Sequence, residues 1–146
     1  MAPLCILIVD DFASWRKFVC STLEERQHLH NIVEVSDGLE ALQKAQELQP
    51  DLILLDIGLP TLNGLEVARQ IEVLAPRSKI IFLTETHDSD VSEEAFRSGA
   101  RGFVLKSSAN EELLAAVDAV LAGKRFLSRR LRSAEGAFDS GQWAAD

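Results

Sequence analysis

Five short apolar runs divide the chain, at residues 4–9, 32–35, 52–55, 80–83 and 103–105. Between them lie longer stretches whose apolar residues recur every three or four positions. Trp15, Phe18, Val19, Thr22 and Leu23 form the first, with Ser14 as the expected cap. Leu39, Ala41, Leu42, Ala45 and Leu48 form the second, which stops at Pro50, and Leu65, Val67, Ala68 and Ile71 form the third, which stops before Pro76. A fourth helix is expected over residues 90–97. Leu113, Leu114, Val117, Val120 and Leu121 mark the fifth, ending near Gly123. Short β-rich runs alternating with helical stretches indicate βαβ units and a parallel sheet. Runs without polar interruption indicate strands covered on both faces. Gly38, Gly64 and Gly102 read as turn and helix-start residues, and Gly58, Pro60, Asn63 and Gly64 make an irregular loop after the third run.

The residues at the ends of these runs carry the chemistry. The first run ends in Asp10-Asp11, the third in Asp56, the fourth in Thr84 and the fifth in Lys106; only the second ends plainly, in Ser36. If the runs are parallel strands, these residues gather at one edge of one sheet, where open α/β sheets bind ligands. Two unit charges 4 Å apart repel by about 4 kcal/mol at an effective dielectric near 20. Three carboxylates together therefore require compensation, which a divalent cation and the Lys106 ammonium supply. All-oxygen, partly solvated ligands suit Mg2+. Asp56, alone at the end of its run, is the candidate nucleophile, because a carboxylate can take a phosphoryl group as an acyl phosphate. Lys106 and the cation would stabilise charge on the transferring group. Thr84 would donate its hydroxyl to a phosphoryl oxygen, or else satisfy a turn at its strand end.

Composition narrows the field. At 146 residues the chain is one domain, over residues 1–123, with 124–146 as a linker or tail, partly disordered, holding a helical stub at about 128–134. A hydrophobic fraction of 47% supports a real core. No apolar stretch nears the roughly 20 residues of a membrane span, and no basic region precedes the first run, so no signal peptide and a cytoplasmic location are expected. The net charge of −8 argues against nucleic acid binding by this domain. No GxGxxG or GxxxxGK occurs, so nucleotide binding lacks its phosphate cradle. Cys5 and Cys20 have no ligand spacing and read as small buried hydrophobes. His28, His30 and His87 read as solvent-facing or partly packed. Trp15 reads as a packing residue at the cleft edge. The arginines of residues 125–132 read as a solvated linker face.

The segments ILIVDD (6–11), LLDIGLP (54–60), NGLE (63–66), FLTE (82–85) and GFVLKSS (102–108) give the chain a strong resemblance to the receiver domain of two-component response regulators. The resemblance covers roughly residues 4–123. It implies a doubly wound (βα)5 domain with a five-stranded parallel sheet in flavodoxin-like order 2-1-3-4-5. It implies that Asp56 accepts phosphate from the phosphohistidine of a sensor histidine kinase, that Asp10, Asp11, Asp56 and the Gly58 carbonyl hold Mg2+, and that Lys106 pairs with the phosphoryl group. Thr84 and Phe103 would form the switch, held outward in the unphosphorylated domain. Such a domain is a signalling module that assists its own phosphotransfer and dephosphorylation, not an enzyme acting on a separate substrate. Residues 99–128 are similar to the NarL/FixJ branch, whose receivers usually precede a helix-turn-helix domain. No such domain follows within these residues, which leaves a natural single-domain regulator and an excised receiver both open. A weak homodimer through an exposed helical face is left open too.

Four departures from the family pattern stand out. Glu85 follows Thr84 where a small residue is usual, and its charge could slow access by small phosphodonors or water. Phe103 replaces the more usual Tyr, so burial alone must distinguish its positions. Ser107 follows Lys106 where Pro is common; a cis bond there, expected to be enforced by the loop, would cost about 2.5–4 kcal/mol. Gly58 offers a metal only its carbonyl. Glu85 gives support to the alternative of a phosphorylation-independent pseudo-receiver, a protein-interaction or dimerisation module. A phosphatase would need a cap that the short loops leave no room for, and a flavodoxin-like electron carrier would need a phosphate loop in place of Asp10-Asp11-Phe12.

Overall fold

The structure, a computed structural model, describes residues 4–26, 31–85 and 89–131. The three histidines and residues 132–146, expected as the end of the tail, lie outside the described residues. The strands are β1 (Cys5–Val9), β2 (Asn31–Val35), β3 (Leu52–Asp56), β4 (Lys79–Thr84), β5 (Gly102–Leu105) and β6 (Phe126–Leu127). The helices are α1 (Ala13–Leu23), α2 (Gly38–Leu48), α3 (Gly64–Leu74), α4 (Ser89–Arg97) and α5 (Ala109–Leu121). The sheet runs β2-β1-β3-β4-β5-β6 and every pairing is parallel.

The uninterrupted apolar runs are explained by burial on both faces. Leu7, Val9, Ile53, Leu55, Phe82 and Phe103 face one core with Ala41 and Ala45 of α2, Val67 and Ile71 of α3, and Ala95 of α4. Ile6, Ile8, Leu52, Leu54, Ile81, Leu83 and Val104 face the other, with Val19 and Leu23 of α1 and Leu113, Val117 and Val120 of α5. Each fully buried aliphatic side chain contributes about 1.5–3 kcal/mol, so alternating faces of one strand stabilise two layers at once.

Local chemistry sets the helix starts. The Asp37 carboxylate accepts the Glu40 N–H at 2.8 Å to cap α2, and the Asn63 side chain accepts the Glu66 N–H at 3.0 Å to cap α3. The expected Ser14 cap on α1 is not formed. That helix begins one residue before Ser14, and its cap position is Phe12, whose N–H is held by Asp10 Oδ1 at 2.9 Å. Asp10 itself turns the chain into the helix.

Two further expectations change. The Lys106–Ser107 bond is trans. Without proline the cis form loses its low penalty, and a 3-10 turn over Lys106–Ser108 makes the bend instead. The sheet also continues past α5. Residues 124–146 are expected as a linker or tail with a helical stub at about 128–134; residues 129–131 are helical, but ahead of them β6 lies beside β5, in register Gly102↔Phe126 and Phe103↔Leu127. Phe126, Leu127, Ser128 and Leu131 are buried. The Ser128 N–H donates to the Phe103 carbonyl at 2.9 Å, and Ser128 Oγ accepts the Leu105 N–H at 2.9 Å. The same hydroxyl donates to the buried Glu112 carboxylate, which also accepts the Arg129 N–H at 3.0 Å.

Candidate functional site

The C-terminal ends of β1, β3, β4 and β5 meet at one edge, as the parallel order requires. Asp10 follows β1 and is 1% exposed, Asp56 closes β3 at 8%, and Thr84 closes β4 at 4%. Asp11 is exposed beside them. One carboxylate oxygen from each of Asp10, Asp11 and Asp56 lies within 4.8 Å of the other two. Lys106 follows β5 and its ammonium enters the group, 2.7 Å from Asp10 Oδ2 and 3.7 Å from Asp56 Oδ2.

Each acid has its own support. Asp10 accepts from Phe12 and Lys106 through its two oxygens, and its backbone carbonyl accepts Arg16 Nη1 at 2.7 Å. Arg16 is held in turn by Glu34 of β2, Nε to Oε1 at 3.0 Å. Asp56 accepts the Gly58 N–H through Oδ1 at 3.0 Å. Burial pushes the Asp56 carboxyl above its ordinary range; Lys106 and the Gly58 N–H oppose that rise, and Asp10 and Asp11 add to it. Gly64, first residue of α3, allows the close approach that fixes Asp56: a Cβ there would stand 2.3 Å from the Asp56 carbonyl oxygen and 2.7 Å from the Ile57 Cα. The Gly64 N–H donates to the Ile57 carbonyl at 2.9 Å.

A cleft of about 510 Å3 opens over Asp56, bordered by Asp11, Phe12, Gly58, Thr84, Glu85 and Lys106. Glu85 is exposed at its rim. A larger cavity, about 780 Å3, lies at the opposite edge beside Arg77, Lys79, Arg101 and Arg125; it holds none of the carboxylate cluster. The two cysteines sit apart from the cleft. Burial and Glu34 push the Cys20 thiol up to about 11, and burial with Asp51 raises Cys5, which leaves little thiolate for chemistry.

The sequence-derived residues Asp10, Asp11, Asp56, Gly58, Thr84, Glu85 and Lys106 all come together here. Phe103 does not stand at the cleft edge. Thr84 is opposite Leu105 in the ladder, and Phe103 is opposite Phe82, two residues deeper, with ring centroids 6.3 Å apart. Its side chain is fully buried, not outward, because the layer containing Phe82 and Leu127 accommodates the ring away from water. Two supports were missed from sequence. Trp15, expected as a packing residue at the cleft edge, also brings its ring centroid to 5.0 Å from Lys106 Nζ. Arg16, on the same helix turn, ties Asp10 to Glu34; the lone acid of the second apolar run was the available signal.

Cation-compensated carboxylates with a buried lysine and a nearby hydroxyl form an arrangement able to receive a phosphoryl group. The family described as the response regulator receiver domain matches residues 6–118. The transcriptional regulatory protein LnrK of Bacillus subtilis is 36% identical over 126 residues, 86% of this chain and 57% of LnrK. The oxygen regulatory protein NreC of Staphylococcus epidermidis is 33% identical over 127 residues, 86% of this chain and 58% of NreC. The chain thus spans a little over half the length of the curated relatives it matches. Among solved structures, a LuxR-family two-component response regulator from Aurantimonas sp. SI85-9A1 superposes with a TM-score of 0.85 at 32% identity, covering 90% of this chain and 94% of that one. The response regulator domain of Thermotoga maritima CheB superposes at 0.71 with 28% identity, covering 83% and 98%. By its sequence match, its sheet order and its clustered acids, this chain belongs to the receiver domains of two-component response regulators.

Proposed function

We propose that Asp56 accepts a phosphoryl group from the phosphohistidine of a sensor histidine kinase. An Asp56 oxygen forms the new bond to phosphorus as the bond to the histidine nitrogen breaks, and the nitrogen keeps the electron pair. Asp10, Asp11, Asp56 and the Gly58 carbonyl would hold Mg2+, and the three clustered carboxylates fit a hard cation of that kind. When bound, the cation supplies neutralisation of the phosphoryl oxygens. Lys106 supplies a further positive charge from the floor of the cleft. The Gly58 N–H orients Asp56, and Asp10, fixed by Phe12 and Arg16, keeps the acid pair in place. The observation that carries this reading is the placement of Lys106 between Asp10 and Asp56, 2.7 and 3.7 Å away.

The signal then passes through Thr84 and Phe103. The Thr84 hydroxyl donates to a phosphoryl oxygen, drawing the end of β4 toward Asp56, and the buried position of Phe103 is the one that the phosphorylated state stabilises. Moving such an equilibrium from 1:99 to 99:1 takes about 5.5 kcal/mol, within reach of a few charge-assisted hydrogen bonds.

Intact-mass measurement after incubation with acetyl phosphate and Mg2+ tests the acceptor. An added mass of about 80 Da, one phosphoryl group on a carboxylate, is expected for the natural chain and not for Asp56→Asn. If the adduct is missing, Glu85→Ala separates two explanations. A recovered adduct means that the rim carboxylate repels small donors. Continued failure together with no Mg2+ binding favours the pseudo-receiver. For the switch, Thr84→Ala should keep the adduct and lose the phosphorylation-dependent change in partner binding; unchanged binding would sink that part.

A further inference from the structure

We propose that Trp15 is a positioning residue for Lys106: the face of its indole ring holds the ammonium over the acid cluster by cation–π attraction. The proposal rests on the phosphoacceptor reading for its use in transfer. Lys106 Nζ lies 5.0 Å from the Trp15 ring centroid, inside the roughly 6 Å within which a cation is drawn to a ring face. The lysine side chain is only 9% exposed, so water screens the attraction little. The ring is placed by packing and not by its polar edge. Its Nε1 is buried and donates to no group among the described residues, while Phe18, one helical turn on, lies 5.0 Å away centroid to centroid.

Among the described residues the ammonium therefore has three such neighbours: Asp10 at 2.7 Å, Asp56 at 3.7 Å and the ring. The two carboxylates differ in what they do. Asp10 is anchored by the Phe12 N–H at its other oxygen and by Arg16 at its backbone carbonyl, whereas Asp56 changes its charge when it takes a phosphoryl group. A lysine has four rotatable bonds and can follow that change or leave for solvent. The ring closes the side from which it would leave, so the ammonium stays within reach of Asp56 both before and after transfer. Trp15 is legible as apolar helix surface; its position one turn after Asp11 is what directs its face to the end of β5.

The test uses a chain with Trp143→Phe, in which Trp15 is the only tryptophan, produced with tryptophan or with a series of fluorinated tryptophans. Fluorine drains the negative face of the ring at nearly constant shape. The rate of adduct formation with acetyl phosphate and Mg2+ should fall stepwise along the series, by about 3- to 10-fold at its end. Urea midpoints should fall along the same series. Both slopes should vanish when Lys106→Met is added, as a double-mutant cycle requires. A purely structural ring would keep its slope in the Lys106→Met background, and flat rates or flat midpoints in the natural Lys106 background would equally overturn the proposal. If even ordinary tryptophan gives no adduct while Glu85→Ala also gives none, the phosphoacceptor reading fails and takes the role in transfer with it. The urea cycle still decides whether ring and ammonium are coupled.

Discussion

Asp56 holds a carboxylate at the closed end of a buried strand, and its solvent loss outweighs the help from Lys106 and Gly58. A raised folded-state carboxyl pKa means that the folded chain binds a proton more readily than the unfolded chain. Stability from this group is therefore greatest at or below the ordinary carboxylate range and falls as pH rises through the folded value. In the absence of divalent cations, Asp56→Asn should raise the melting temperature at neutral pH. The gain should shrink as pH falls toward 4, the ordinary carboxylate range; an Asn variant less stable than wild type at pH 7 would refute the assignment. The site acids, Thr84 and Lys106 were legible because each ends an apolar run, and strand ends are fixed by period and topology alone. The position of the Phe103 ring was not, because it depends on the space left by Phe82 and Leu127, which only packing defines.

At the scale of elements, α3 and β6 make sharper demands than sequence periodicity conveys. Gly64→Ala would drive a methyl group into the backbone of Asp56 and Ile57. It should destabilise the domain by about 1–3 kcal/mol, as overpacking does, and slow adduct formation more than a distant core substitution of equal cost. Equal slowing would show that the approach serves stability only. Ser128→Ala would leave the Leu105 N–H and one Glu112 oxygen without their buried partner. A loss of about 1–3 kcal/mol is expected, read from urea midpoints; a loss below about 0.5 kcal/mol would place β6 outside the cooperative unit. Four of the five runs, β1, β3, β4 and β5, were legible as strands because both faces are buried, and the edge strand β2 was legible from its place between two helical stretches. β6 escaped because two apolar residues among arginines carry no period, and because its fit depends on a serine and a glutamate 16 positions apart. The start of α1 was displaced for a related reason: an acid two residues upstream, and not the nearest hydroxyl, turned the chain.

For the whole molecule, the order of the strands determines which chemistry can exist. Placing β1 and β3 side by side brings Asp10 and Asp56 together from opposite ends of a 46-residue separation, and β5 then delivers Lys106 from the far side of β4. The overall charge of −8 is a property of the surface and did not reveal this arrangement. Mg2+ at about 100 times its dissociation constant should raise unfolding free energy by about 2.7 kcal/mol. Chelation should reverse the gain, and Asp11→Asn, at an exposed position, should remove most of it without harming the cation-free fold; an undiminished gain would place the ion elsewhere. The contact between Lys106 and Asp10 adds a consequence for that uptake. A divalent ion arriving at these carboxylates would not meet bare negative charge, because the Lys106 ammonium already lies 2.7 Å from Asp10, and it would have to loosen part of that hold. On the proposed reading, loading would be an ion exchange, and exchange would set a ceiling on affinity. Occupancy would follow the surrounding ion concentration from moment to moment, so that the domain borrows its cation and gives it back.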